Sequence, residues 1–403
     1  MLDTCIRYPY SKFTLRFFQA CQVLKITRKK SYILLGVFVL LSVAYTFWSA
    51  KHHQALVYYV RNRFINQALY RAPELNAAEL NNTHLLLYWT PFFQNVAFDG
   101  FGRRPFAKCP VSNCVATNDR RYLRRADAVL FHGADMSVLD LPAERSPRQL
   151  YAYYVHESPP QLDMLLGPLN SAFNITLTYR RDSDVHMPYF RLVACNESES
   201  LAVTQDRQSE LTPPPGVVPP GGPLVAWVVS HCSTDGRRED YVAQLRRYIA
   251  VDEFGACSGR PCPRPGALQC YQHLARSHLF YLAFENSLCR DYVTEKFFNA
   301  LHVGLVPVAR GATRAEYEAL APPDSFLHVD DFAGPQELAD HLRWLASNGT
   351  ALARYHRWRS QYRFAPRERW CRLCELMSRH MEPGTAVLPD LHSWWYEGAQ
   401  CHS

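Results

Sequence analysis

No glycine-rich phosphate loop of either common type occurs in the 403 residues, which counts against kinases, nucleotide hydrolases and dinucleotide oxidoreductases. No internal repeat is evident either. Excess charge is scarce outside one short stretch. The net charge is +7, but residues 1 to 30 hold seven bases (Arg7, Lys12, Arg16, Lys25, Arg28, Lys29, Lys30) and one acid, Asp3, which leaves about +1 for the other 373. The composition thus gives no support to a basic nucleic-acid-binding surface, and no nucleic-acid partner is expected. With 48% hydrophobic and 20% charged residues, the chain is too apolar for disorder and long enough for two domains with cores of their own.

What is present begins with a membrane signal. After Lys29-Lys30 comes an uncharged run over 32 to 50, YILLGVFVLLSVAYTFWSA, with Tyr32 and Trp48 near its ends. At about 1.5 Å per residue it just spans a bilayer core, and aromatic ends suit the headgroup level. The preceding bases keep the N-terminus cytosolic, so the sequence predicts a tail over 1–30, a transmembrane signal-anchor over 31–50 and a stem over 51–82. The 30-residue basic region and the bulky residues closing the apolar run argue against a cleaved signal peptide.

The remainder then faces the secretory lumen. Four sequons lie there, at Asn81, Asn174, Asn196 and Asn348. Eleven cysteines do too, and the pairs and clusters Cys109 with Cys114, Cys257, Cys262 and Cys270, and Cys371 with Cys374 read as disulfide candidates in an oxidising compartment, not as metal ligands. An odd count leaves at least one thiol unpaired.

Short apolar strands follow at 84–90, 128–132 and 150–156. A segment with six prolines and three glycines at 212–223 reads as a linker between an N-terminal domain over 83–211 and a second over 224–375, with a tail at 376–403. Beyond it, strands at 224–230, 278–284 and 305–309 alternate with helical stretches at 239–250, 294–304, 335–347 and 351–363. Apolar strands alternating with amphipathic helices imply an α/β, doubly wound parallel sheet in each unit, with ligand in the cleft between them.

The densest polar segment beside a buried strand is AFENSLCRDYVTEKFFNAL, 283 to 301. Its strand ends at Phe284, Thr294 caps a helix, and Glu295 and Lys296 occupy the first turn, where free N–H groups and the helix dipole favour phosphate oxygens. Glu followed by Lys at a helix start is also ordinary surface chemistry; what singles this one out is its place at the carboxyl end of buried strands, with Asn286 and Tyr292 converging on it. Asp182-Ser-Asp184 has a spacing able to hold a divalent ion, but Arg180 and Arg181 beside it favour salt bridges.

The stretch Phe284 to Val308 resembles the donor-binding signature of the α1,3-fucosyltransferases, glycosyltransferase family 10, of the animal Golgi type. TLTYRRDSDV (176 to 185), AWVVSHCSTDGRREDYVAQL (226 to 245), FLHVDDFAGPQELADHL (326 to 342) and the terminal CRLC are similar to the same family in the same order. The resemblance implies a GT-B-like fold whose second domain binds GDP-fucose through Arg238, Asn286, Tyr292, Glu295 and Lys296, with Arg237 a weaker substitute for Arg238. It makes Glu157, in the motif His-Glu-Ser-Pro-Pro, the general base toward an acceptor hydroxyl. His156 is the rival base, although a lone histidine at a strand end is more often structural. No cofactor is required by this reading; Mn2+ stimulates at most, since protein cations neutralise the leaving GDP. The implied partners are GDP-fucose and a GlcNAc-bearing glycoprotein or glycolipid glycan, in the Golgi lumen. Two departures from the family pattern, His231 for Asn and Phe190 for Gly, point to altered loops or acceptor preference. The alternatives are another Golgi glycosyltransferase or protein O-fucosyltransferase, or a lumenal binder of GDP-sugar or glycan without activity.

Overall fold

The computed structural model describes residues 71–402 apart from 94, 163, 165, 196–221, 263–266, 366–368 and 380–385. The expected signal-anchor at 31–50, the stem up to residue 70, Asn196 and all of the Pro/Gly linker but its last two residues lie outside the described residues. Among those described, no helix is long and apolar enough to cross a membrane.

Two parallel sheets organise the chain. The first has six strands, β1 (His84–Tyr88), β2 (Cys114–Thr117), β3 (Ala128–His132), β4 (Leu150–Val155), β5 (Ile175–Thr178) and β6 (Val185–His186), in the order β2-β1-β3-β4-β5-β6. A short strand β7 (Leu192–Ala194) follows and pairs outside this sheet. The second sheet has five strands, β8 (Val225–Val228), β9 (Val251–Phe254), β10 (Phe280–Phe284), β11 (Val306–Arg310) and β12 (Leu327–His328), in the order β12-β11-β10-β8-β9. Every pairing within these sheets is parallel. Runs such as Leu85-Leu86-Leu87 and Tyr153-Tyr154-Val155 are buried on both faces, as such strands require. Near the C-terminus β13 (Tyr362–Phe364) runs antiparallel to β7 and ties the two halves together.

The second sheet is covered as its sequence pattern predicts. Helices Ala267–Leu274 and Glu295–Val303 bury Tyr271, Leu274, Phe297 and Leu301 on one face, while Arg238–Leu245 and Pro335–Ser347 bury Val242, Leu245, Leu338 and Leu342 on the other. The stretch read as one helix over 351–363 is two pieces, Gly349–Arg354 and a 3-10 turn Arg357–Ser360. The break buries Trp358 and lets Arg359 bond the carbonyls of Leu301 and His302 at a helix C-terminus, where a cation is favoured.

The first sheet departs from expectation. Among the described residues its crossovers carry only 3-10 turns, too short to cover either face. The cover comes from the far end of the chain. Helix Cys371–Ser378 packs Leu373, Cys374 and Met377 against Leu86, Leu130 and Tyr154, and helix Leu391–Tyr396 packs Leu391 and Trp395 against Tyr153, Phe173 and Tyr179 on the opposite face. Residues between 371 and 402 thus pack on the first sheet, although the sequence pattern places 371–375 in the second domain and 376–403 in a tail: Leu373, Cys374 and Met377 lie on one face and Leu391 and Trp395 on the other.

Disulfides fix this exchange. Cys109 bonds Cys371 and Cys114 bonds Cys374, closing loops of some 260 residues, while Cys232–Cys257, Cys262–Cys270 and Cys289–Cys401 complete the set. All seven cysteines singled out from sequence are bridged, and Cys195 is the free thiol among the described residues. Of the described sequons, Asn81 is exposed, while Asn348 caps a helix with its side-chain oxygen on Ala351 N at 3.0 Å. Asn174 is engaged by Tyr151 N, Arg145 and the carbonyl of Ala386, so a glycan there would displace packed structure.

Candidate active site

Parallel sheets present their strand carboxyl ends to ligands, and here the ends of β4, β8 and β10 line one cleft of about 1130 Å³. Glu157, Arg238, Asn286, Tyr292, Glu295 and Lys296 all line it, as do His231 and Tyr189. The two lobes meet at this point through side chains: Ser158 Oγ and Ser287 Oγ lie 2.8 Å apart, both fully buried.

Glu157 follows β4, where Pro159 and Pro160 turn the chain. Its carboxylate accepts from the Tyr292 hydroxyl at 3.3 Å, a contact between the first lobe and the loop after β10. Burial raises its pKa, with Glu295 and Glu285 adding to the shift and Lys296 and the Tyr292 hydrogen bond opposing it. A carboxylate moved toward neutrality in this way is a better proton acceptor than an exposed one. His156 lies elsewhere: its ring packs against Tyr154 and Tyr189 and lines a neighbouring cavity of about 450 Å³. Tyr189 belongs to both cavities, and its hydroxyl donates to the His156 carbonyl at 2.7 Å.

Across the cleft, Thr294 caps the helix that begins at Glu295. Glu285, unassigned by the sequence motif, organises this corner. Its fully buried carboxylate accepts from Thr294 N and Thr294 Oγ1, both at 2.8 Å, and from Lys296 Nζ at 2.9 Å. Burial alone would lower the Lys296 pKa, but Glu285 and Glu295 outweigh it, so the ammonium is firmly charged. The backbone of Gly311 lies so close that a Cβ there would meet Glu285 Cγ at 2.7 Å. Only a glycine allows that approach.

Arg238 is 3% exposed, and among the described residues no carboxylate lies within ion-pair distance of it. Its guanidinium donates to the carbonyls of Phe284 at 2.9 Å and His231 at 3.1 Å, and its Nε is buried without a partner. Burial lowers its pKa, yet a guanidinium stays protonated, so the site holds a buried positive charge that two neutral carbonyls only partly compensate. Arg237 turns away, exposed and paired with Asp240 at 2.8 Å. The side-chain oxygen of Asn286, also buried, has no partner and is an acceptor for a ligand hydroxyl.

Asp182 pairs with Arg180 at 2.6 Å and with Arg290, and Asp184 accepts from Thr176 N and Oγ1 at 2.8 Å. Both carboxylates are thus committed to structural bonds. Among the described residues no group of three or more His, Cys, Asp or Glu has the arrangement of a metal site.

The family model "Glycosyltransferase family 10 (fucosyltransferase) C-term" matches residues 221–394, and "Fucosyltransferase, N-terminal" matches 81–190. The chain is 33% identical to α-(1,3)-fucosyltransferase C of Drosophila melanogaster, over 80% of each chain. It is 39% identical to α-(1,3)-fucosyltransferase 7 of Bos taurus, over 71% of this chain and 78% of the relative. A crystal structure of an α1,3-fucosyltransferase with GDP-fucose superposes on 81% of this chain and 97% of its own, at 12% identity and a TM-score of 0.48. The chain belongs to the fucosyltransferases of glycosyltransferase family 10.

Proposed function

We propose that this protein is an inverting α1,3-fucosyltransferase that moves L-fucose from GDP-β-L-fucose to O3 of a GlcNAc on a glycoprotein or glycolipid glycan. It acts in the Golgi lumen, held by residues 31–50 as a single-pass type II membrane protein. The observation that carries the assignment is the opposition, in one cleft, of the half-buried carboxylate of Glu157 to the fully buried guanidinium of Arg238 and the half-buried ammonium of Lys296. A cleft of about 1130 Å³ has room for a nucleotide sugar with an acceptor sugar beside it.

Each residue has a distinct role in that reaction. The carboxylate of Glu157 takes the proton of the acceptor hydroxyl as it attacks the fucose anomeric carbon opposite GDP. Arg238, lacking a carboxylate of its own, receives the diphosphate, and Lys296 adds a second charge at the helix start, so no metal is needed to stabilise the departing GDP. Asn286 and Tyr292 meet fucose or ribose hydroxyls, and Glu295, 42% exposed, faces the sugar from the first helical turn.

Incubating the lumenal protein with GDP-fucose and a glycan panel tests this, with Glu157→Gln beside it. The parent should fucosylate a GlcNAc-bearing glycan, and the variant should lose on the order of 10² to 10⁴ in kcat while still binding GDP. A parent that binds GDP-fucose and transfers nothing, or a variant with normal turnover, refutes the assignment.

A further inference from the structure

The C-terminal segment does more than cover a sheet. Leu391–Tyr396 and the residues after it hold, from behind, the chain on either side of the Glu157–Tyr292 contact. On one side, Cys401 bonds Cys289, three residues before Tyr292, and the two strands of chain run side by side: Arg290 N donates to Ala399 O at 2.8 Å and His402 N to Leu288 O at 2.9 Å. On the other, the Tyr396 hydroxyl lies 2.9 Å from the carbonyl oxygens of both Leu162 and Met164, between which its single proton is shared, and accepts from Met164 N at 3.3 Å, pinning the chain that follows Glu157. Between these points the rings pack edge-on or tilted, one against the next. Trp395 lies 5.8 Å from Tyr179, and Tyr179 lies 4.9 Å from Tyr292.

The anchorage is extensive. Trp395 is fully buried, the carbonyl of Trp394 accepts from Arg180, and the Arg180 guanidinium stacks over the Trp394 ring at 4.2 Å. A Cβ at Gly398 would meet Arg180 Nη2 at 2.8 Å, so the segment lies tight on that side chain. The loop before Tyr292 is held from the first lobe as well, by Arg181 on Asp291 at 2.6 Å and Arg290 on Asp182. Asp291 itself sits at φ +61°, a left-handed conformation that depends on these contacts to persist.

We infer that the C-terminal segment Leu391–His402 is a covalently closed positioning element for the Glu157–Tyr292 pair, acting through the Cys401–Cys289 bond on Tyr292 and through the Tyr396 hydroxyl on the turn of Glu157. It rests on the assignment of Glu157 as base. Neither Cys401 nor Tyr396 reaches the cleft, so both are positioning residues. With the segment closed, the Tyr292 hydroxyl stays on the carboxylate; with it open, the loop relaxes and that hydrogen bond is lost. Groups facing Glu157 are Lys296, Glu295 and Glu285 from the second lobe, Tyr292 from the loop, Tyr179 and Tyr189 from the first lobe, and His156 next in the chain. Of these, Tyr179 packs on Trp395, and Tyr292 is the one that both hydrogen-bonds Glu157 and lies in the loop closed by the Cys289–Cys401 bond; its hydrogen bond lowers the Glu157 pKa.

The test compares the parent lumenal protein with Cys289→Ser/Cys401→Ser, Tyr396→Phe, Tyr292→Phe and the combination of Tyr292→Phe with the double cysteine variant. Parent turnover with GDP-fucose is measured first; an inactive parent sinks the assigned reaction and this inference together. In an active series, the double cysteine variant should lose on the order of ten- to a hundredfold in kcat, with GDP affinity within threefold of the parent. The acid limb of its kcat/KM profile should move to higher pH. Tyr292→Phe should move the limb the same way, and the combination should add little to either. Tyr396→Phe, which removes one oxygen and keeps the disulfide, should lower kcat in the same sense if the double variant is not secreted. Variants with parental kcat and an unmoved acid limb, or effects that add fully to that of Tyr292→Phe, overturn the inference.

Discussion

Replacing Glu285 by glutamine removes one charge and one acceptor oxygen while keeping the shape. The carboxylate has no access to solvent and holds three donors at 2.8 to 2.9 Å: Thr294 N, Thr294 Oγ1 and Lys296 Nζ. An amide keeps one acceptor oxygen, but its NH2 must then face the remaining donors. Lys296 is left with Glu295, 3.4 Å away and 42% exposed, as its nearest counter-charge. Breaking a buried pair by removing one partner costs about 3–5 kcal/mol. The two side-chain hydrogen bonds, at about 1.5–3 kcal/mol each when a charged group takes part, lead to the same range. At about 2–4 °C per kcal/mol for a unit of 150 to 250 residues, the melting temperature should fall by roughly 10 °C. Scanning calorimetry of the disulfide-intact protein measures it directly. A Glu285→Gln protein melting within 2 °C of the parent would show that Glu285 does not hold Lys296.

Other outcomes follow from the same contacts. Arg238→Lys should weaken GDP binding tenfold or more in calorimetric titration, because an ammonium cannot span the carbonyls of Phe284 and His231 and still meet a diphosphate; an unchanged Kd would remove Arg238 from the phosphate site. Gly311→Ala should cost about 1–3 kcal/mol in denaturant unfolding, since its Cβ displaces Glu285, and parental stability would contradict the close approach. The kcat/KM of the parent should fall as pH drops through the raised pKa of Glu157, with the acid limb above the usual Glu value of about 4.3. A limb at or below that value would contradict the burial argument. Transfer should persist in EDTA, with added Mn2+ stimulating at most, and its loss on chelation would mean that a metal supplies charge assigned here to Arg238 and Lys296.

Much of the second lobe was legible in the sequence. The apolar run ending at Phe284, the cap Thr294 and the left-handed Gly304 that ends its helix mark β10 and the helix after it by local chemistry alone. The place of Glu157 at the end of β4 was legible because two prolines follow it, while its reading as a base came from the family resemblance alone. Strand β5 escaped as ITLT, where threonines break the apolar run, and β9 as VDEF, which is half-buried throughout. The role of Glu285 was not legible, since a buried acid and an exposed one have the same letter; only the fold shows that Gly311 and Thr294 enclose it. The C-terminal helices were missed for a different reason. Their partners lie more than 200 residues away in sequence, and amphipathic spacing shows that a face is covered without saying by what.

That exchange of cover also governs how the protein can be made. The six strands of the first sheet have left the ribosome by residue 186, whereas the second of the helices that seal its faces ends at Tyr396. At about 5 to 20 residues per second, the nascent sheet waits on the order of ten seconds or more with apolar surface open and Cys109 and Cys114 as reactive thiols. Cys109 and Cys114 are five residues apart and are made more than 250 residues before their native partners Cys371 and Cys374, so a premature bond between them is the nearest error available. The native bridges of the first lobe can therefore form only after Cys371 and Cys374 are made, and a nonsense codon anywhere before Cys371 leaves its six strands encoded without the partners that close them.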